Sequence, residues 1–127
     1  MRVVSVVLVL WLVGAVIADD KDVKAISPAE AAKKVNEKCI VQMEVKSVGK
    51  VRDVLVLNSK EDYKDKDNFS IFINKDGMEK LKEAKIDDPV AHFKGKVIRV
   101  TGTVKVYRER PEIVVEKADQ IKVVEKK

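Results

Sequence analysis

The sequence has little of the side-chain chemistry that enzymes and metal sites use most often. It contains one cysteine, Cys39, and one histidine, His92. A single cysteine excludes an intrachain disulfide, and the two residues together are too few for a structural zinc cluster. A Cys–His nucleophile pair is not expected either, because Cys39 begins a strand-like apolar alternation and His92 lies in a polar helical turn. We therefore predict no catalytic residue, no metal site and no cofactor, and we expect a protein that is not an enzyme.

Glycine and aromatic residues are also scarce. Five glycines are scattered along the chain, and none forms a glycine-rich phosphate loop or dinucleotide fingerprint. Aromatic residues make up 5% of the chain, which leaves few rings on which nucleic-acid bases could stack. The acidic stretch "SKEDYKDKDN" (59–68) lacks the central glycine of a calcium loop, and Lys64 and Lys66 interrupt its acids. It is therefore predicted to be a solvated loop rather than a calcium site.

Charge of both signs is abundant. Lysine and arginine number 26 against 21 acidic residues, for a net charge of +5. The two signs are interspersed, which is typical of a solvated surface. A general polyanion-binding protein would show a denser basic stripe.

The one long apolar run stands at the start of the chain. Arg2 precedes apolar residues from Val3 to Ile17, and charge returns at Asp19. This pattern predicts a signal peptide over residues 1–18, cleaved after Ala18, and export to the periplasm or the medium. The alternative is an uncleaved membrane anchor, although the run is shorter than the roughly 20 residues that a spanning helix needs. Residues 19–25 then form a polar leader, and residues 26–127 form one domain.

The first half of that domain begins with a helix and continues as strands. The segment "ISPAEAAKKVNEK" (26–38) carries a capping box at Ser27 and Glu30, which predicts a helix. Apolar alternation over residues 39–48 and 51–58 predicts two strands, with a tight break at Gly49-Lys50. "FSIFIN" (69–74) predicts a third strand, with Phe69 on its core side.

The second half starts with helix signals. Asp76 and Glu79 indicate a helix start, and "VAHF" (90–93) indicates a further short helix before Gly95. In "KVIRVTGTVKVY" (96–107) Gly102 shares a face with four aliphatic residues, which indicates a bend in a long strand; the four are Ile98, Val100, Val104 and Val106. The strands "EIVV" and "QIKVV" follow.

Without the short final strand "QIKVV", the predicted order is five strands with a helix between the third and the fourth, preceded by an extra N-terminal helix. This order matches a five-stranded Greek-key barrel of the OB-fold type. An open α+β sandwich is the structural alternative.

The C-terminal third also carries a resemblance. "GKVIRVTGTVKVYRERPEIVVEKADQI" (95–121) resembles the C-terminal signature of small exported bacterial OB-fold proteins with nucleic-acid-binding, tRNA-anticodon-like domains. "ISPAEAAKKV", "VLVLN" and "NFSIFI" are similar to the opening helix and the second and third strands of that family, so the resemblance covers residues 26–124. It implies an OB-fold and, less specifically, nucleic-acid binding. The family turn often has glycine where this chain has Glu109, and glycine would more easily adopt a positive φ near a phosphate.

OB-folds bind single strands across strands two and three, between the loops that join strands one to two and four to five. Both loops carry cations here, and we expect them to lie on the same side of the barrel. The predicted binding residues for single-stranded nucleic acid or another polyanion are Lys50, Arg52, Tyr63, Tyr107, Arg108 and Arg110. The alternative is an envelope module that binds a small ligand or a protein partner.

Overall fold

The computed structural model describes residues 24–124 of the chain. The predicted signal peptide and all but the last two residues of the predicted leader lie outside this range. The strands are β1 Ala25–Ile26, β2 Lys38–Glu44, β3 Ser47–Val51, β4 Val54–Asn58, β5 Ser70–Ile73, β6 Val97–Tyr107, β7 Arg110–Val115 and β8 Ile121–Val123. The helices are α1 Pro28–Ala31, α2 Lys75–Glu83 and α3 Pro89–Phe93, with a 3₁₀ turn at Ala118–Gln120. Within residues 24–124, no helix has the length and hydropathy needed to span a bilayer.

The strands form one mixed sheet in the order β1-β2-β6-β7-β5-β4-β3, with β8 paired to β6. Only two residues separate β2 from β3, so these two strands act as one bent strand whose halves lie far apart in the sheet order. The hydrogen-bonded order does not close on itself. β5 and β7 run parallel, whereas β7 is antiparallel to β6. This connectivity, with α2 and α3 between β5 and β6, confirms the predicted OB-fold.

Apolar residues from all the long strands fill the interior of the curled sheet. The alternation predicted for β2 is confirmed, and Cys39 is buried in this core as expected. Phe69, at 1% exposure, is also a core residue. Val106 was expected to share the buried face of β6 but is 54% exposed. It pairs with Pro111 beside the hairpin turn, where β6 extends past the core.

The N-terminal helix is shorter than predicted. Its capping box is confirmed, with the Ser27 side chain accepting from the Glu30 N–H and the Glu30 carboxylate accepting from the Ser27 N–H. However, α1 ends at Ala31. The Asn36 N–H donates to the Val104 carbonyl at 2.7 Å, so a hydrogen bond to β6 replaces the helical one. Local propensity is overridden by this tertiary contact.

Two other predicted boundaries are wrong. Gly49 and Lys50 do not break the chain but lie within β3, paired with Val56 and Leu55, and the turn comes later at Arg52-Asp53. The helix α2 is capped not at Asp76 but at Asn74, whose side chain accepts a hydrogen bond from the Gly77 N–H at 2.8 Å. Asparagine is as good an N-cap as aspartate.

Candidate functional site

The outward surface of β3, β4, β5 and β7 is the candidate site, and we call it the outer face. Because side chains alternate along a strand, the residues between the buried ones on these strands point away from the core. The strand register places them in two adjacent rows. The apolar row is Gly49, Val56, Phe72 and Val114. The polar row is Ser47, Asn58, Ser70 and Glu112, and Lys105 on β6 continues it. Asn58 is only 4% exposed, because Asn68 of the loop after β4 bonds to it.

Phe72 is the aromatic residue of the apolar row, and it was not among the predicted binding residues. It pairs with Val56 on one side and Val114 on the other, and all three side chains are half-buried. The alternation along the strand indicates that Phe72 points outward, because it lies between the core residues Ile71 and Ile73. Phe72 is on β5, which is the third of the five predicted OB-fold strands, and it points outward. OB-folds bind their ligands on this surface.

Arg110 anchors the long loop between β4 and β5. Its Nη1 donates to the carbonyls of Tyr63 at 2.6 Å and Asp65 at 3.0 Å, and its Nη2 donates to the carbonyl of Lys64 at 2.8 Å. The guanidinium is therefore committed to three backbone oxygens rather than directed at a ligand. Arg110 brings the loop, with Tyr63, against the β6–β7 hairpin.

This contact gathers four of the six predicted binding residues at one end of the outer face. We call that group, Tyr63, Tyr107, Arg108 and Arg110, the tyrosine end. Tyr63 and Tyr107 are 62% and 57% exposed. Each ring has a cation beside it, with Lys64 Nζ 5.7 Å from the Tyr63 centroid and Arg108 Cζ 5.3 Å from the Tyr107 centroid. The two rings are thus accessible platforms with positive charge next to them.

The other two predicted residues lie elsewhere. Arg52 is in the β3–β4 turn, next to the Val51–Val54 pair, at the end of the face where β5 and β7 finish. The β6–β7 turn is at the other end, where β5 and β7 begin with the Ser70–Glu112 pair. The two turns therefore flank the outer face from opposite ends and do not converge as expected. Lys50 pairs with Leu55, on the inward side of β3, and lines a groove against α2 beside Met78. It is not part of the outer face.

A buried amide network fixes the shape of the long loop. Asn68 is 2% exposed, and its Nδ2 donates to Asn58 Oδ1 at 3.1 Å and to the Tyr63 carbonyl at 3.2 Å. Its Oδ1 accepts from the Lys60 N–H at 3.1 Å. The loop that was expected only to be solvated is therefore tied down at both Asn68 and Arg110. Within residues 24–124, no group of acidic, histidine or cysteine side chains is arranged to hold a metal ion.

The lone cysteine and histidine are placed as the sequence reading expected. Burial raises the pKa of the Cys39 thiol, and the nearby Glu37 charge raises it further. A raised pKa favours the protonated thiol, which is a poor nucleophile. His92 is exposed on α3, with its ring packed edge-on against Phe93.

The Arg108-Glu109 turn is strained. Both residues have positive φ, 53° and 68°, as the central residues of a type I′ hairpin turn do. This conformation favours asparagine and glycine, and the sequence reading had expected Glu109 to resist it.

Replacing Glu109 with glycine is therefore expected to raise the free energy of unfolding by about 1 kcal/mol, because glycine adopts a positive φ without a Cβ penalty. Urea unfolding followed by circular dichroism measures the change. Glu109→Ala, which removes the charge but keeps the Cβ, should bring no such gain. An equal gain in both variants would assign the effect to charge instead of backbone strain.

Comparisons with known proteins agree with the fold. The chain is similar to aspartyl-tRNA synthetase from Entamoeba histolytica, with a TM-score of 0.56 and 14% identity over 84% of this chain and 22% of that one. It is also similar to asparaginyl-tRNA synthetase from Pyrococcus horikoshii, with a TM-score of 0.54 and 19% identity over 80% of this chain and 23% of that one. The chain thus spans about a fifth of the synthetases' length.

A further similar structure is about as long as this chain. It is the OBody AM1L10 bound to hen egg-white lysozyme, with a TM-score of 0.55 and 17% identity over 81% of this chain and 95% of that one. No protein-family model matches the sequence, and no curated protein matches it. At these identities the likeness establishes the OB-fold and nothing finer.

Proposed function

We propose that this chain is an exported OB-fold binding module whose outer face and tyrosine end take single-stranded nucleic acid. The observation that carries the proposal is the placement of three aromatic rings. Phe72 lies on the outward side of the third barrel strand, and Tyr63 and Tyr107 stand exposed at the end of the same face. Stacking of bases on such rings is the main sequence-tolerant source of affinity for single strands.

The cations divide into two roles. Arg108, beside the Tyr107 ring, and Arg52, at the opposite turn, are exposed and are assigned to phosphates. Arg110 is a positioning residue, because its guanidinium holds the loop that carries Tyr63. Lys50 lies outside the outer face and contributes only at longer range.

Two further observations support parts of this proposal. Two of the structurally similar proteins are named as synthetases acting on tRNA, and the shared region is the OB-fold alone. The apolar run from Val3 to Ile17 behind Arg2 supports export.

A protein partner is the second candidate ligand. The OBody, which matches this chain over 95% of its own length, is bound to lysozyme, so a domain of this fold also binds a protein. The exposed Val51 and Tyr107 would suit such a partner equally well.

Salt dependence separates these candidates. With a fluorescein-labelled 12-nucleotide single strand, we expect anisotropy to show binding at low salt. The logarithm of the affinity should fall against the logarithm of salt with a slope of about −1.4, as expected for two phosphate contacts. Arg108→Gln should make the slope shallower by about 0.7.

Lys122→Gln is the matched control. Lys122 is on β8, where it pairs with Arg99 of β6, away from the outer face. It should leave the slope unchanged. An absence of binding at low salt would rule out nucleic acid as the ligand and leave the protein partner.

A further inference from the structure

Glu112 is an acidic residue on β7, the strand beside β6, in a face proposed to bind an anionic polymer. It belongs to the polar row, opposite Ser70 on β5 and Lys105 on β6. Its side chain is half-buried, and among the described residues no cation lies within ion-pair distance of its carboxylate. A carboxylate in that position disfavours any ligand that brings a second negative charge close to it.

Among the described residues, the charged groups around Glu112 form no ion pair with it. Lys105 is the facing cation on β6. On β7, Arg110 is two residues away, and its guanidinium is held by the loop carbonyls. The strand β5 offers only the uncharged Ser70.

We propose that Glu112 is a specificity-determining residue that excludes polyanions with charge at every position and admits chains that place an uncharged group over its carboxylate. The inference rests on the proposed function. Nucleic-acid bases are uncharged and carry N–H donors that a carboxylate can accept. Inorganic polyphosphate, by contrast, would place a negative charge directly over Glu112.

The same geometry orients a bound strand. With a base over Glu112, the adjoining phosphate lies toward the β6–β7 turn, where Arg108 is exposed. Phe72 in the adjacent row then lies within reach of a base plane.

Protonation would relax the exclusion. Partial burial raises the pKa of Glu112, with the Lys105 charge opposing that shift. The carboxylate therefore becomes neutral at a higher pH than an ordinary glutamate does, and the exclusion of polyphosphate should weaken as the pH falls through that raised pKa.

A competition experiment tests the proposed role of Glu112. Inorganic polyphosphate of matched length competes with the labelled 12-nucleotide strand for binding to the full domain. Wild-type protein should bind polyphosphate about tenfold more weakly than the oligonucleotide, as expected for one partly screened like-charge contact. Glu112→Gln should bind polyphosphate about tenfold more tightly than wild type does. Lowering the pH from 7 to 4.5, the ordinary pKa of a glutamate, should protonate most of the Glu112 carboxyl because its pKa is raised. Wild type should then move toward the variant, while the variant stays nearly unchanged.

Glu109→Gln is the matched control, because Glu109 is an acid in the turn between β6 and β7 and is exposed there. It should change polyphosphate affinity by less than about twofold, since solvent screens exposed charges. Equal gains in the two variants, or equal affinity of wild type for both polymers, would overturn the role of Glu112. If wild type binds no oligonucleotide, the proposed function fails as well. Oligonucleotide binding without a gain in Glu112→Gln refutes this inference alone.

Discussion

Replacing Gly77 with alanine is expected to lower the free energy of unfolding by about 3 kcal/mol, at the upper end of ordinary overpacking costs. Gly77 lies in the first turn of α2, where the helix packs on β7. A Cβ there would collide with the carbonyl oxygen of Val115 and stand 2.9 Å from Ile73 Cγ2. Val115 is a fully buried strand residue, so neither partner can move away easily.

Helix propensity predicts the opposite sign. Alanine is favoured over glycine inside a helix by about 1 kcal/mol, so a surface helix would gain stability from the change. Urea unfolding of Gly77→Ala therefore distinguishes the packing account from the propensity account. Gly49→Ala is the control, because a Cβ at Gly49 meets nothing within 4 Å, and its effect should stay within about 0.5 kcal/mol. A Gly77→Ala protein as stable as wild type would show that α2 does not pack on β7 this closely.

Removing both exposed tyrosines should have the largest effect on binding. In the Tyr63→Ala, Tyr107→Ala double variant we expect affinity for the 12-nucleotide strand to fall about 100-fold, taking about 1.5 kcal/mol for each stacked ring. The salt slope should stay as in wild type, because no cation is removed. Anisotropy titrations at several salt concentrations measure both quantities.

Stability should change little in that variant, since the rings are 62% and 57% exposed. Val106→Ala is the control. Val106 lies beside Tyr107 and is 54% exposed, but it alternates to the other side of β6, so its truncation should leave affinity unchanged. If the control weakened binding as much as the double variant does, general apolar contact at the hairpin would replace base stacking as the explanation.

Alternation along the strands was enough to predict most of the fold. The buried positions Cys39, Val41 and Met43 follow the period of a half-buried strand, and the β2, β4 and β5 segments were predicted from such patterns. The turn after β3 was misplaced because Gly49-Lys50 is a typical local turn signal, whereas pairing with β4 extends the strand to Val51. Pairing between distant segments is not encoded in local residue preferences.

The candidate site was predicted less completely, for a related reason. Residue type identified the tyrosines and arginines, but the difference between Arg108 and Arg110 depends on which carbonyls lie nearby. Those carbonyls belong to a loop more than 40 residues earlier. Phe72 was not among the predicted binding residues, although the alternation that buries Ile71 and Ile73 places it on the outward side of β5, where an OB-fold binds its ligand.

The central claim is that ligand binds on the outer face, and amide chemical-shift mapping tests it most directly. A ¹⁵N-labelled domain titrated with the 12-nucleotide strand should show its largest shifts at Val56, Phe72, Val114 and Tyr107. The amides of α2 and of Lys122 on β8 should stay nearly unchanged. Shifts concentrated in the groove between Lys50 and α2, or on β8, with the outer face unaffected, would contradict the claim.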